Sequence, residues 1–244
     1  MGDFIDSVGL VLSRVGRRVE TSAQNISNIS TPGYKRAVSF ESVLNAQDAR
    51  LDPDGGNSVA GTRMGMGSAI DFSPGQPQNT GNPGDLAILG AGFFSVRTGD
   101  GSVLYTRQGQ FQRDADGHLV NAQGGVLQQT GGGDLVLKGG DFKVLGDGTV
   151  VQSGEAIGRI AIAAISDPAV MHYAEDGLYT APDDAVSAMD APSVSQGALE
   201  ASNVSMGAEM ISIMAALREA QAGQRLVNVY DDLVGRAVTT FGQG

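Results

Sequence analysis

The 244-residue chain has no cysteine, no tryptophan and only two histidines, His118 and His172. Without cysteine there is no disulfide, no thiolate metal site, no Fe–S cluster and no thiol nucleophile. No HExxH, GxSxG or GxxxxGK[ST] pattern occurs. The run Gly90-Ala91-Gly92-Phe93-Phe94-Ser95 ends in serine and leads toward a strand, whereas a dinucleotide fingerprint opens a helix. The Asp-rich turns around Asp54 and Asp116 lack the acidic first ligand and closing glutamate of an EF-hand loop. Hairpin turns account for them better. Basic residues are also scarce: 16 Lys and Arg face 27 Asp and Glu, a net charge of −11. That balance argues against nucleic acid and against an anionic membrane surface. No stretch approaches 18 consecutive apolar residues. The opening Met1-Gly2-Asp3-Phe4 carries no basic n-region, so any exit from the cytoplasm is expected to need no cleaved signal. No metal or cofactor is expected, and no catalytic set emerges.

Glycine is abundant. There are 36, and 27 of them fall between residues 51 and 205. All eight prolines lie between Pro32 and Pro192. The two ends are therefore free of proline and carry helical periodicity instead. In the first, Ile5, Val8, Leu12, Val15, Val19, Ile26 and Ile29 follow heptad steps, with Ser22 as a polar interruption. Thr31-Pro32-Gly33-Tyr34 must end that helix. In the last, Ser202-Asn203 offers a cap, and Met206, Met210, Ile213, Leu217 and Ala220 form a seam. The register is expected to shift near Gly223 before Val227, Tyr230, Val234, Val238 and Phe241 continue it.

The middle reads as β structure. Strand candidates include Leu86–Leu89, Phe93–Val96, Val103–Arg107, Asp134–Leu137, Thr149–Gln152 and Arg159–Ile165. Asp-Gly turns at Asp100-Gly101, Asp116-Gly117 and Asp147-Gly148 separate several of them, as in an antiparallel sandwich or barrel-like domain. Residues 35–84 read as an extended connector, and 168–200 as an irregular return path. The fold class expected is α+β: long N- and C-terminal helices forming a coiled-coil-like stalk, with an inserted antiparallel β domain. The segments are 1–34, 35–84, 85–200 and 201–244.

Three blocks resemble the bacterial flagellar rod and hook proteins. Gln24 to Arg36 is similar to the family's N-terminal signature; Asn25, Asn28, Thr31, Gly33 and Tyr34 fit it, whereas Gln24 and Ser27 depart. Leu86-Ala87-Ile88 with Gly92-Phe93-Phe94, then Tyr105 to Phe111, resembles its central block. Gly197 to Val204 resembles the entry to its C-terminal helix. Asp147 to Val150, Gly158-Arg159-Ile160 and Asp176 to Tyr179 look most like the proximal-rod branch, with the distal rod as the alternative.

The resemblance implies a structural, non-enzymatic subunit of the basal-body rod that transmits torque from rotor to hook. It implies export through the flagellar type III apparatus and partners among other copies and adjacent rod proteins. The suspected assembly residues are Ile5, Val8, Leu12, Val15, Val19, Asn25, Asn28, Thr31, Pro32, Gly33 and Tyr34 at one end. At the other they are Asn203, Met206, Met210, Ile213, Leu217, Val227 and Val234. A carbohydrate-binding β domain on a helical anchor is the remote alternative; its aromatic platforms would have to come from five tyrosines.

Overall fold

The computed structural model describes residues 2–39 and 69–241. Most of the expected connector, including Phe40 to Leu44, lies outside the described residues. The chain divides into two compact units. One holds residues 2–27, 37–39, 69 and 204–241; the other holds 28–36 and 70–203.

The first unit is built on helix α1, Gly2–Ser27, and helix α2, Met206–Phe241. Neither contains proline, and Thr31-Pro32 stops any extension of α1. The helices pack on each other, but the expected coiled-coil stalk is overturned. On α1 the protected positions include Val8, Val11, Val15, Arg18, Val19, Ser22, Asn25 and Ile26, with Ser22 and Asn25 at 3% and 0% exposure. Leu12 is exposed. On α2 they are Glu209, Ile213, Ala216, Ala220, Gly223, Val227 and Tyr230, whereas Met206, Met210 and Leu217 are exposed. A coiled coil needs large apolar knobs at these positions. Here valines, Ile213 and Tyr230 are interrupted by small and polar positions, Ser22, Asn25, Glu209, Ala216, Ala220 and Gly223, and Arg18 Nε donates across the line to Ser212 Oγ at 3.1 Å. The predicted register shift is also absent, because the spacing runs through buried Gly223 unbroken.

The second unit is an antiparallel β structure. Its main sheet has nine strands, among them Phe93–Arg97, Val103–Thr106 and Leu178–Thr180. The strand alternation sorts side chains to two faces. Phe94, Val96, Leu104 and Leu178 enter a core with Leu86, Phe111, Leu127 and Ile160. Phe93, Tyr105 and Tyr179 enter a second cluster with Met171 and Phe72. The register supports this, with Ser95 opposite Tyr105 and Tyr105 opposite Tyr179. Phe72 meets Phe93 and Tyr179 edge to face, at 5.4 and 5.1 Å between ring centres.

Residues 168–200, expected to be irregular, contain five strands: His172–Glu175, Leu178–Thr180, Val186–Ala188, Val194–Gln196 and Ala198–Glu200. The first two form a hairpin on Asp176-Gly177, where both residues have positive φ. Conversely, Asp134–Leu137 makes only isolated bridges, at Asp134 and Val136.

Gly109 shows how tightly the segments meet. A Cβ there would lie 1.6 Å from the Leu86 carbonyl oxygen, whereas one at Gly99 would meet open space. Gly109→Ala is expected to destabilise the β unit by about 1–3 kcal/mol, as overpacking does. Gly99→Ala should stay within about 0.5 kcal/mol of the parent. Paired thermal melts of the two variants check this.

Candidate functional site

The most concentrated polar chemistry in the β unit surrounds Glu200, on strand Ala198–Glu200. Its side chain is 3% exposed and faces two buried cations. Lys35 Nζ donates to Oε1 at 2.5 Å, and Arg107 Nη1 donates to Oε2 at 3.0 Å. The Gly75 amide also donates to Oε1, at 2.7 Å. Lys35 Nζ reaches the Ser73 carbonyl, and Arg107 Nη2 reaches the Gly90 carbonyl. The Arg107 guanidinium lies over the Phe93 ring, 5.2 Å from its centre. Burial pushes the Lys35 ammonium below the ordinary lysine value, against the opposing pull of Glu200. Burial lowers Arg107 in the same way. One carboxylate thus holds two desolvated cations.

Asn203 continues the cluster. Its Oδ1 accepts from the Arg36 amide at 2.8 Å. Its Nδ2 donates to the Asp71 carbonyl at 2.8 Å and to the Ser73 carbonyl at 3.1 Å. The Asp71 amide in turn donates to the Arg36 carbonyl. The Gly33 amide donates to the Glu200 carbonyl at 2.7 Å. Gly33 has φ +69°, and a Cβ there would sit 2.5 Å from the Arg107 carbonyl. Only glycine suits both demands. The chain passes between the two units after residues 27, 36, 69 and 203. Arg36, Asp71 and Asn203, each within two residues of a crossing, are tied into this one network together with Gly33.

The suspected assembly residues divide accordingly. Gly33 and Asn203 belong to the network, while Pro32 and Tyr34 are half-buried beside it in sequence. Asn28 Oδ1 accepts from the Thr31 hydroxyl at 3.2 Å, closing the turn after α1. Asn25 is fully buried and pairs both ways with the Ala37 backbone, at 2.8 and 2.9 Å. Val8, Val15, Val19, Ile213 and Val227 lie in the helix pair; Leu12, Met206, Met210 and Leu217 face outward. The side chains of Ile5 and Val234 lie outside the described residues. Lys35, Arg107 and Glu200 were not singled out from sequence, although each stands inside a quoted block. A charge within an otherwise apolar or turn-forming motif was the available signal.

Comparison with known proteins gives these blocks a common origin. A model described as "Flagellar hook protein FlgE/F/G D1 domain" matches residues 87–162. One described as "Flagellar basal body rod FlgEFG protein C-terminal" matches residues 195–240. The flagellar basal-body rod protein FlgF of Caulobacter vibrioides is 32% identical over 235 residues, covering 93% of each chain. The chain belongs to the flagellar rod and hook family. FlgG of Agrobacterium fabrum is 29% identical over 242 residues, covering 88% of this chain and 90% of its own. FlgF of Mesorhizobium japonicum is 28% identical over 247 residues, covering 97% and 98%.

For this flagellar rod protein the central and C-terminal blocks have a joint physical role. Arg107 comes from the first, Glu200 from the second, and Lys35 from the N-terminal signature. The Asp114–His118 turn is a separate, self-satisfied feature. Asp114 accepts from the Asp116 and His118 amides and lies 3.0 Å from His118 Nδ1.

Charge balance ranks the variants at the cluster. Glu200→Gln leaves two buried cations and should cost about 3–5 kcal/mol, as breaking a buried pair does. Lys35→Met leaves a balanced Arg107–Glu200 pair and should cost about 1–3 kcal/mol. The double variant should be less destabilised than the sum by about 1 kcal/mol or more. Chemical denaturation of the four proteins tests the ranking.

The alkaline limb tests the lysine separately. Folded Lys35 binds its proton more weakly than the unfolded chain does, so stability should rise as pH climbs through its depressed folded pKa toward about 10.4. Above about pH 10, Tyr179 opposes this, because burial raises its pKa and the unfolded phenol ionises first. Lys35→Met should flatten the rise below pH 10 in urea titrations run at successive pH values.

Proposed function

We propose that this chain serves in the proximal segment of the basal-body rod, joining other copies of itself and adjacent rod proteins. It is a structural subunit of the flagellar basal-body rod family, so its work on this reading is mechanical. It helps carry torque from rotor to hook and performs no catalysis. It reaches the rod through the flagellar type III apparatus, without a cleaved signal. The suspected assembly residues act in two ways. Those of the Glu200 network fix the β unit, and the exposed ones on α1 and α2 meet neighbours.

The observation that carries this is the surface of α2. Met206, Met210, Ile211, Met214, Leu217, Leu226, Val229 and Leu233 are all 45–64% exposed. A helix apolar on several sides is stable only when surrounded. Relatives named FlgF and FlgG match over similar lengths, so the distal rod is the second reading.

Deleting residues 204–244 should leave the melting of the β unit intact and abolish rod assembly and motility. Deleting residues 1–36 should also unfold the β unit, because it removes Gly33 and Lys35. Circular dichroism and swimming assays distinguish the two. A chain without 204–244 that still builds rods would overturn the reading. Complementation of strains lacking either the proximal or the distal rod protein separates the two segments: rescue only of the proximal deletion is expected.

A further inference from the structure

Residues 193–203 are the last stretch of the β unit, and they hold together segments drawn from its whole length. Strand Val194–Gln196 is, among the described residues, the only ladder partner of strand Leu86–Ile88, with Val194 opposite Ile88 and Gln196 opposite Leu86. Strand Ala198–Glu200 is likewise the only ladder partner of Pro77–Asn79 among the described residues. Between the two strands the Gly197 amide donates to the Asp85 carbonyl, and the Gly197 carbonyl accepts from the Thr80 amide, both at 2.8 Å. The Val194 amide donates to the Gly146 carbonyl at 2.8 Å, and Gln196 Oε1 accepts from the Val144 amide at 3.0 Å. Glu200 and Asn203 then tie in Lys35, Arg36, Asp71, Gly75 and Arg107.

Without this stretch the earlier segments cannot be buried as they are. Leu86, Ala87 and Ile88 are 0%, 1% and 4% exposed. Removing their partner strand would leave buried backbone donors and acceptors unpaired, which is costly. Val194 belongs to the main core, and Leu199 is 7% exposed. Lys35 and Arg107 would become two desolvated cations with no carboxylate between them. The decisive contacts are also distant in sequence: 165 residues separate Lys35 from Glu200, and 93 separate Arg107 from it. The entropy of closing such loops is lost before the contacts can offset it. Domains ordinarily fold as units while the chain is being made, N-terminal parts first. In this unit the first and last segments complete each other, so no N-terminal part is self-sufficient.

We propose that residues 193–203 are a closing clasp. The β unit stays open through synthesis until this stretch is free to dock, and then closes in one step. Only residues 204–244 follow the clasp, so most of the chain exists before the unit can fold. Once docked, the clasp cannot lift by itself, because lifting it strands the Leu86–Ile88 backbone and both cations together. A peripheral strap laid on a finished sheet would behave differently, opening locally while the sheet stayed closed. The export route proposed above supplies a use for a chain that remains open until it is complete. The clasp itself does not depend on that route.

Native-state hydrogen exchange on the full-length chain, in low urea and read by mass spectrometry, separates a clasp from a strap. Amides of strands Val194–Gln196 and Ala198–Glu200 should exchange within about threefold of those of Leu86–Ile88 and Phe93–Arg97, with the same urea dependence. Exchange roughly tenfold faster in the two later strands, with the earlier ones still protected, would show that they lift alone and would overturn the clasp. Ribosome-arrested chains test the timing. Chains in which residue 192, or residue 203, has just cleared the ribosome are compared by pulse proteolysis. Resistance should rise by about tenfold or more only in the longer one. Equal resistance in the chain that exposes only residues up to 192 would show that the unit closes without the clasp, and would overturn it. Neither measurement involves export or assembly, so failure of the rod reading would leave both results as they stand.

Discussion

Glu200 has to neutralise two cations that are out of water, and much of the β unit's construction follows from that. A buried carboxylate or ammonium is costly unless it is paired and fully hydrogen-bonded. Lys35, Arg107 and the Gly75 amide together engage both carboxylate oxygens. Each partner comes from a different part of the chain, so none can be placed without the others. Such a cluster contributes little net stability compared with apolar packing of the same volume. What it contributes is uniqueness: mispairing any segment leaves a charge stranded. The surrounding glycines serve that end. Gly33 and Gly75 stand where a Cβ would strike backbone of the Arg107 and Ala201 segments, so the backbones can approach closely enough for the ion pairs to form.

The sequence disclosed some of this and concealed the rest for identifiable reasons. Turn chemistry was legible, because Asp-Gly at residues 116–117 and 147–148 needs φ > 0 only at the glycine, and the structure has it there. Strands such as Phe93–Arg97 were legible through their dense apolar content. Val186–Ala188 and His172–Glu175 were not, since they are short, largely exposed and lack an alternating pattern. The ion cluster was invisible because residues 35, 107 and 200 share no local pattern; only the fold joins them. On the helices, hydrophobicity favoured the largest side chains, Leu12, Met210 and Leu217. The contact line kept Val8, Val15, Val19, Ile213 and Val227 and filled its other positions with small and polar residues.

That inversion has a physical basis. Ala216, Ala220 and Gly223 allow α1 to come close to α2, so the pair needs no large knobs between its helices. Hydrogen bonds substitute for apolar depth, as with Arg18 and Ser212 or Asn25 and the Ala37 backbone. The large side chains are thereby released to the remaining faces of α2. A sequence optimised for a self-sufficient helix pair would bury methionine and leucine within it. This one sets polar and small residues among the valines of the pair and leaves methionine and leucine outside, as suits a subunit that has neighbours.

The network at Asn203 and Glu200 gives that arrangement a mechanical sense. Here Gly33, Arg36, Asp71 and Asn203 are joined by short hydrogen bonds around a buried charge cluster, so a pull on any one strand is shared by the others. Shearing the cluster would expose or strand three charges at once, which makes its response steep rather than gradual. A junction of that kind stiffens the β unit where the helices leave it. That stiffness arises from one glutamate placed between two cations.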